Sequence, residues 1–283
     1  MPAKTTAIQA LQFILDESWS QFSWNLSKFR RTRESEFLHQ ARIGWRRFKS
    51  SLKFFKPLLA AEGSSAVASL RPLIDLMGDV RDLDVALEVT LPAWRDLYTQ
   101  EKPNRIVQWD ALIQELAGHR KQACRAIDLQ SRQANIQSSM RRVRVWIAKL
   151  AVHPKANVTH LSGKAWRHWI ERRLKRLQRK LDHWRRTHHP GQQHKARLLA
   201  KQLRYEVEIL EPYLSKRWVK QPLRQARRLQ LNIGLRRDRI RAYQLVDALL
   251  DYPAVAQFIN AKLGAASDYA NMGGGIRRRD AFS

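Results

Sequence analysis

The chain repeats the stretch His39-Gln-Ala-Arg42-Ile-Gly-Trp45-Arg46-Arg47-Phe48-Lys49 in similar form 155 positions later, as His194-Lys-Ala-Arg197-Leu-Leu-Ala-Lys201-Gln-Leu-Arg204. Each helical residue advances by about 100°, so His39, Arg42, Arg46 and Lys49 share one stripe about 80° wide, as do their counterparts. The opposite side is apolar at matched positions: Ala41, Trp45, Phe48, Leu52, Phe55 and Leu59, against Ala196, Ala200, Leu203, Val207, Leu210 and Leu214. Two helices with an apolar back and a cationic front suit a long polyanion better than catalysis.

Nearly the same offset relates further blocks of the sequence. They are Phe29-Arg30-Arg31-Thr32 with Trp184-Arg185-Arg186-Thr187, and, one position further, Gly78-Asp-Val-Arg81-Asp82 with Gly234-Leu-Arg-Arg237-Asp238. Apolar spacing is helical almost throughout, and the breaks predict eight or nine helices. We therefore predict an all-α fold of two four-helix bundles related by an internal pseudo-two-fold repeat. The predicted boundaries are 1–152 for the first bundle, 153–163 for a linker, 164–272 for the second bundle and 273–283 for a flexible basic tail.

The charge of the chain is strongly unbalanced. Its 283 residues include 53 Lys and Arg against 25 Asp and Glu, a net charge of +28. Such an excess destabilises a compact state through self-repulsion and normally accompanies an anionic partner. Nucleic acid, an acidic membrane and polyphosphate all qualify, whereas solubility alone requires far less charge.

The cysteine content and the apolar runs exclude several classes of protein. A single cysteine, Cys124, cannot form an internal disulfide framework or a cysteine-based zinc site. The first residues lack a signal-peptide core, and no run approaches the ~18 apolar residues that span a bilayer. We expect a soluble, cytoplasmic protein without cofactor or metal.

Three blocks, in this order, resemble the signatures of the CHAD domain, the conserved-histidine α-helical domain. They are His39-x-x-Arg42-x-x-x-Arg46-Arg47 followed by Leu52 and Phe55, then Leu76-Met-Gly78-x-x-Arg81-Asp82-x-Asp84-Val85, then His194-x-x-Arg197-x-x-x-Lys201-x-Leu203-Arg204-Tyr205-x-x-Glu208. The resemblance covers roughly residues 5 to 260. It implies two pseudo-symmetric four-helix bundles whose basic helices line a positively charged surface or central cavity. It also implies binding of inorganic polyphosphate and association with polyphosphate granules.

The chain departs from a perfect duplication at two places. Gln202 stands where the first copy has Arg47, and Ile240 stands where it has Asp84, so the halves need not bind a ligand equally. Some relatives carry a triphosphate tunnel domain with a Glu-x-Glu-x-Lys strand. Here Glu206-Val-Glu208-Ile-Leu lacks the lysine and lies in a helical pattern, so the resemblance implies a stand-alone binding domain.

The predicted ligand contacts are basic side chains, because a phosphate polymer offers only oxygen acceptors. Arginine donates two parallel hydrogen bonds to phosphate, and lysine acts as a point charge. Helical rise is 1.5 Å per residue, so each row of cations runs about 15 Å and contacts several phosphates. The predicted polyphosphate-binding residues are Arg30, Arg31, His39, Arg42, Arg46, Arg47, Lys49, Arg81, Arg185, Arg186, His194, Arg197, Lys201, Arg204 and Arg237.

Several roles stay open at this point. The Arg81-Asp82 and Arg237-Asp238 pairs either orient an arginine toward the ligand or form internal salt bridges. His39 and His194 head the two stripes, and we expect their imidazolium forms to bind phosphate rather than a metal, with tighter binding as pH falls from 7 to 6, near the ordinary pKa of ~6.5. The most basic helix begins near Trp166 and is predicted to pack in a bundle rather than lie on a membrane.

Two other functions compete with polyphosphate binding. A nucleic-acid-binding architectural protein would explain the charge, although no recognised DNA- or RNA-binding motif occurs. An enzyme acting on phosphoanhydrides would need clustered carboxylates for Mg²⁺, and the dense acidic group Asp79, Asp82 and Asp84 keeps only Asp238 in the second copy. We therefore expect a non-enzymatic polyphosphate-binding protein.

Overall fold

The computed structural model describes residues 6–59, 64–150, 163–185 and 190–263. Within these ranges every regular element is helical, which confirms the all-α prediction. The tail predicted at 273–283 lies outside the described residues, and so does the predicted linker except for Gly163, where α8 begins. The helices are α1 Ala7–Thr32, α2 Ser35–Phe55, α3 Ser64–Ser69, α4 Arg71–Val85, α5 Arg95–Thr99, α6 Pro103–Arg132, α7 Ala134–Lys149, α8 Gly163–Arg185, α9 Pro190–Leu210, α10 Lys216–Asp247 and α11 Pro253–Leu263.

The first two helices form a tightly packed pair. Thr6 and Gln9 make a capping box that starts α1, which satisfies backbone N–H groups at the helix end. Arg33 ends α1 in the left-handed region at φ 64°, and α2 begins two residues later. A Cβ on Gly44 would lie 2.5 Å from the backbone nitrogen of Phe22, so only glycine allows α1 and α2 to cross this closely.

The number of helices differs from the prediction. Eight or nine were expected, but the described residues form eleven α-helices. Helices end at Arg33 and Gln133 without glycine or proline, because these residues adopt left-handed and extended backbone conformations. A π-helical turn over Ala86–Thr90 and a 3-10 turn over Pro92–Trp94 also separate α4 from α5. Backbone breaks of this kind leave little trace in apolar spacing.

Two apolar cores lie inside the protein. The larger core contains side chains of α1, α2, α7, α8 and α9, for example Phe48 and Leu174. The smaller core contains the end of α4, the start of α6, the end of α10 and α11, for example Trp109 and Val246. Each core therefore contains residues from both predicted halves of the chain. The helices α4, α6 and α10 extend through both cores and connect them.

The internal repeat stays a prediction, and the burial pattern of α1 and α8 agrees with it. Ile170 and Leu181 are buried in α8, as are Leu15 and Leu26 at the corresponding positions of α1. The outward faces of these two helices differ, as described below.

Candidate polyanion-binding site

Cationic side chains from three helices come together at the surface of the protein. Arg42 is influenced electrostatically by Arg46 on α2, by Arg81 on α4 and by Arg237 on α10. His39 is influenced by the same α2 and α4 arginines. We call these five residues the central cluster. The predicted α2 stripe therefore meets two arginines that the sequence places far away, one from each Arg-Asp pair.

Arg42 is the most buried cation of the cluster. Its Nη1 donates a long hydrogen bond of 3.5 Å to the carbonyl oxygen of Ile74, and its buried Nε has no partner among the described residues. A Cβ on Gly78 would lie 3.3 Å from Nη1, so the glycine provides the space for the guanidinium. Burial, and then Arg46, lower the pKa of Arg42 to about 10; Arg237 and Arg81 add to this, and Asp82 opposes it. The side chain is therefore charged at neutral pH.

The Arg42 guanidinium lies at an open depression between α2 and α4. The depression has a volume of about 300 Å³ and is lined by Arg42, Arg71, Ile74, Asp75, Gly78 and Asp79. Arg71 forms an ion pair of 3.7 Å with Asp75, one helical turn away. The depression therefore offers an anion one partly buried cation without an ion pair among the described residues and one exposed cation paired with Asp75, and Asp79 adds a second carboxylate to the lining.

Asp82 connects α4 to α10. Its carboxylate lies 2.9 Å from Nε of Arg241 and 3.9 Å from Nη2 of Arg237. Arg241 also approaches Asp79, at 3.8 Å. The Asp82 carboxylate, from the predicted first half, thus forms ion pairs with arginines of the predicted second half and holds α10 beside α4. Sequence reasoning missed Arg241, although it lies one helical turn after Arg237 and so on the same face.

Asp84, two positions further along α4, pairs with an arginine inside the protein. It is fully buried and lies 2.6 Å from Nε of Arg120 on α6. Burial raises the pKa of Asp84. All three carboxylates of this acidic group on α4 therefore have arginine partners. Asp79 and Asp82 pair with α10, and Asp84 pairs with α6.

His39 lies half-buried among cations. Burial lowers its pKa, the charges of Arg81, Arg46 and Arg42 lower it further, and Glu36 opposes them. Without a ligand, the imidazole therefore binds a proton less readily than an ordinary histidine. A bound polyanion would offset these cations and favour the protonated form.

Arg47 and Arg204 lie at a different place from the central cluster. Both approach Glu208, Arg47 at 4.0 Å and Arg204 at 3.7 Å, and Arg47 also donates a hydrogen bond of 3.1 Å to Gln21 on α1. The Arg204 guanidinium lies 4.9 Å from the centre of the Tyr205 ring. These two predicted contacts therefore connect α1, α2 and α9 at the seam beside Glu208.

The remaining predicted contacts of the first copy separate as well. Arg30 pairs with Asp128 at 3.3 Å, and Arg33 pairs with the same carboxylate, which joins the end of α1 to α6. Arg31 and Lys49 are exposed. The predicted contacts of the first copy therefore fall into three groups. Some belong to the central cluster, Arg30 and Arg47 bond to other helices, and Arg31 and Lys49 are exposed.

The second predicted row is only partly described. Lys201 is half-buried on α9. Arg186 lies outside the described residues, and the side chains of Arg185, His194 and Arg197 are also outside them. Within the described ranges, no group of three His, Cys, Asp or Glu residues could hold a metal ion. No described helix combines the length and apolarity needed to cross a bilayer.

The fold and this cluster define an all-helical protein in which cations from three helices converge. The family model of the CHAD domain matches residues 14–247, and the chain belongs to the CHAD domain family, which is associated with polyphosphate binding.

Two solved structures are similar in fold. The crystal structure of the CHAD domain from the plant Ricinus communis is 20% identical with a TM-score of 0.74, over 98% of this chain and 94% of that one. PptA from Streptomyces chartreusis is 15% identical with a TM-score of 0.59, over 92% of this chain and 99% of that one. The search among curated proteins found no match.

Proposed function

We propose that this protein binds inorganic polyphosphate without chemical turnover and that the central cluster is its principal binding site. The observation that carries the proposal is Arg42, a charged and partly buried guanidinium at the edge of an open depression; its buried Nε has no hydrogen-bond partner, and it forms no ion pair among the described residues. Leaving a buried cation unpaired costs free energy, which a bound anion would recover. Membership of the CHAD family supports phosphate as that anion.

The geometry suits a linear polymer better than a single phosphate. The cations of the cluster come from α2, α4 and α10, so successive phosphates of one chain can each meet a different helix. Arginine predominates, and its planar fork forms two parallel hydrogen bonds with phosphate oxygens. We place the protein in the cytoplasm at the surface of polyphosphate granules.

A binding experiment with matched variants tests the proposal. The triple variant Arg42→Gln, Arg46→Gln and Arg81→Gln removes three charges from the cluster. Its control, Lys121→Gln, Arg125→Gln and Arg132→Gln, removes three exposed charges from α6. We expect the cluster variant to lose at least ~100-fold in polyphosphate affinity, since charged hydrogen bonds contribute ~1.5–3 kcal/mol each. The control should lose only a few-fold. Equal losses in both variants would contradict the proposal.

A competition experiment separates polyphosphate from nucleic acid. Labelled polyphosphate is displaced with unlabelled polyphosphate, duplex DNA, single-stranded RNA or heparin at equal charge and fixed salt concentration, because ionic binding weakens steeply with salt. We expect unlabelled polyphosphate to be the strongest competitor. Stronger competition by DNA would assign the surface to nucleic acid instead.

The absence of turnover has its own measurement. Asp79, Asp82 and Asp84 already face arginines, which disfavours their use as magnesium ligands. We expect no phosphate release from polyphosphate in the presence of Mg²⁺ or Mn²⁺. Release that depends on the three carboxylates would make the protein an enzyme.

A further inference from the structure

The outward face of α8 carries a second concentration of positive charge. Six exposed cations lie along it, five of them in two rows of i, i+4 neighbours, and we call this surface the α8 track. Its residues are Arg167, Arg172, Lys175, Arg176, Arg179 and Lys180. At 1.5 Å per residue, the track is about 20 Å long. The opposite side of α8 packs into the larger core through Ile170 and Leu174.

The six cations of the track are not used to stabilise the fold. None of them forms an ion pair with any residue in the described part of the chain. Closely spaced like charges on one helix repel one another and destabilise it. Glu171 and Asp182 offset part of this repulsion, but the six cations outnumber them, and a bound polyanion would relieve the remaining repulsion.

Comparison with α1 shows that the track is not required by the helix packing. At the offset of 155 positions, the six cations correspond to Gln12, Glu17, Ser20, Gln21, Trp24 and Asn25. The corresponding side of α1 thus carries no cation at these positions and one carboxylate. Both helices nevertheless bury apolar residues in the same core. The positive face is therefore present on α8 and absent from the corresponding side of α1.

The α8 track is distinct from the central cluster. The charges that act on Arg42 and His39 come from α2, α4 and α10. The track residues lie on a separate helix, which packs against α9. One polyanion segment in the central cluster therefore leaves the track available to a second segment.

We infer that the α8 track is a second binding surface for a linear phosphate polymer, which makes the protein bivalent. This inference rests on the proposed function. Among the described residues of α8, no large apolar side chain is exposed, so the track offers nothing to insert into a membrane. The described part of α8 also offers no exposed Phe, Tyr or Trp ring on which a nucleic-acid base could stack. Closely spaced charges without bases, as in polyphosphate, match it best.

Bivalency gives the protein a capacity that one site lacks. With long polyphosphate, the two surfaces hold separate segments of one chain or join two chains. Linking two sites in this way raises the overall affinity without new contacts, and joining chains builds a network.

Calorimetry with a polyphosphate no longer than the ~20 Å track tests the inference. Wild type should bind two such chains per protein, and the variant Arg172→Gln, Arg176→Gln and Arg179→Gln should bind one. The α6 control variant Lys121→Gln, Arg125→Gln and Arg132→Gln should still bind two. Circular dichroism verifies that all three proteins are equally helical. With long polyphosphate, light scattering should show clusters for wild type and the control but not for the α8 variant.

The possible outcomes distinguish the two proposals. A wild type that binds no polyphosphate overturns the proposed function. A wild type that binds one short chain, or an α8 variant that still binds two, overturns only the bivalency. If the α8 variant still bound two polyphosphates but no longer bound duplex DNA, the track would be assigned to nucleic acid. That result would also overturn the inference.

Discussion

Arg42 is partly buried and Glu206 is fully buried, and neither has an ion-pair partner among the described residues, yet their surroundings give them opposite roles. Arg42 borders an open depression beside other cations. Glu206 is fully enclosed where α9 packs against α2. The Ser50 hydroxyl donates a hydrogen bond of 2.6 Å to its Oε1, and its Oε2 has no partner.

The difference shows how burial acts on the two kinds of charge. Burial lowers the pKa of Arg42 to about 10, so the guanidinium keeps its proton and its charge at neutral pH. Burial raises the pKa of Glu206 to about 8, although Ser50, Arg173 and Lys53 oppose the change. The carboxyl group is therefore largely neutral at pH 7. Only Arg42 remains a charged site for a ligand, whereas Glu206 becomes part of the core.

The largest effect is expected from replacing Arg42 alone. Arg42→Gln should weaken polyphosphate binding by ~10- to 100-fold, because hydrogen bonds to charged groups contribute ~1.5–3 kcal/mol. Its free energy of unfolding in urea should not fall, because the change removes an uncompensated buried charge. Arg42→Lys should be intermediate, since it keeps the charge but loses the planar fork.

Arg71→Gln is the matched control for Arg42. Arg71 lines the same depression but is exposed and paired with Asp75, so its loss should weaken binding less than about fivefold, as for a typical surface ion pair of ~0–1 kcal/mol. Loss of affinity that is equal for Arg42 and Arg71 would remove the distinction between buried and exposed cations.

Glu206→Gln should change the pH dependence of stability and leave polyphosphate affinity unchanged. Between pH 4.5 and about 8, the folded wild type retains a proton that the unfolded chain releases. Its free energy of unfolding should therefore fall as pH rises through this range and level off above it. In wild type this decline should amount to at least ~1 kcal/mol, the free energy that corresponds to one pKa unit. The Glu206→Gln variant should not show it. Urea unfolding at pH 5, 7 and 9 measures the difference, and parallel profiles would contradict it.

Replacing His39 should change how polyphosphate binding depends on pH. Its pKa is lowered in the free protein, and a bound polyanion should raise it, so binding takes up a proton. Affinity should thus increase as pH falls through and below the ordinary value of 6.5, by at most ~10-fold per unit of pKa difference. His39→Gln should flatten this profile, and His119→Gln on α6 should not. Identical profiles for wild type and His39→Gln would exclude His39 from the contacts.

The sequence alone was sufficient for the helical class and for the α2 stripe. Apolar spacing fixes which side of a helix is buried, so His39, Arg42 and Arg46 could be assigned to one face. The same reasoning could not show that Arg47 and Arg204 would share Glu208, because a helical wheel does not specify which neighbour occupies each side. Arg81 and Arg237 come together because α4 contacts α10, and these two helices are far apart in the sequence.

Glu206 shows a second limit of sequence reasoning. It lies beside the apolar positions Leu203 and Val207, which is compatible with either a buried or an exposed carboxylate. Its burial depends on the approach of α2, which brings Ser50 to it from 156 positions earlier in the chain. A glutamate of ordinary appearance thus acquires an unusual proton affinity only through long-range packing.

The two shared cores also determine how the protein can be divided. A chain cut after Leu150 would leave each fragment with only part of the larger core and part of the smaller one. Neither fragment should fold when synthesised alone. Mixed together, the two fragments should complement each other and restore the native protein, because each carries the apolar surface that the other lacks.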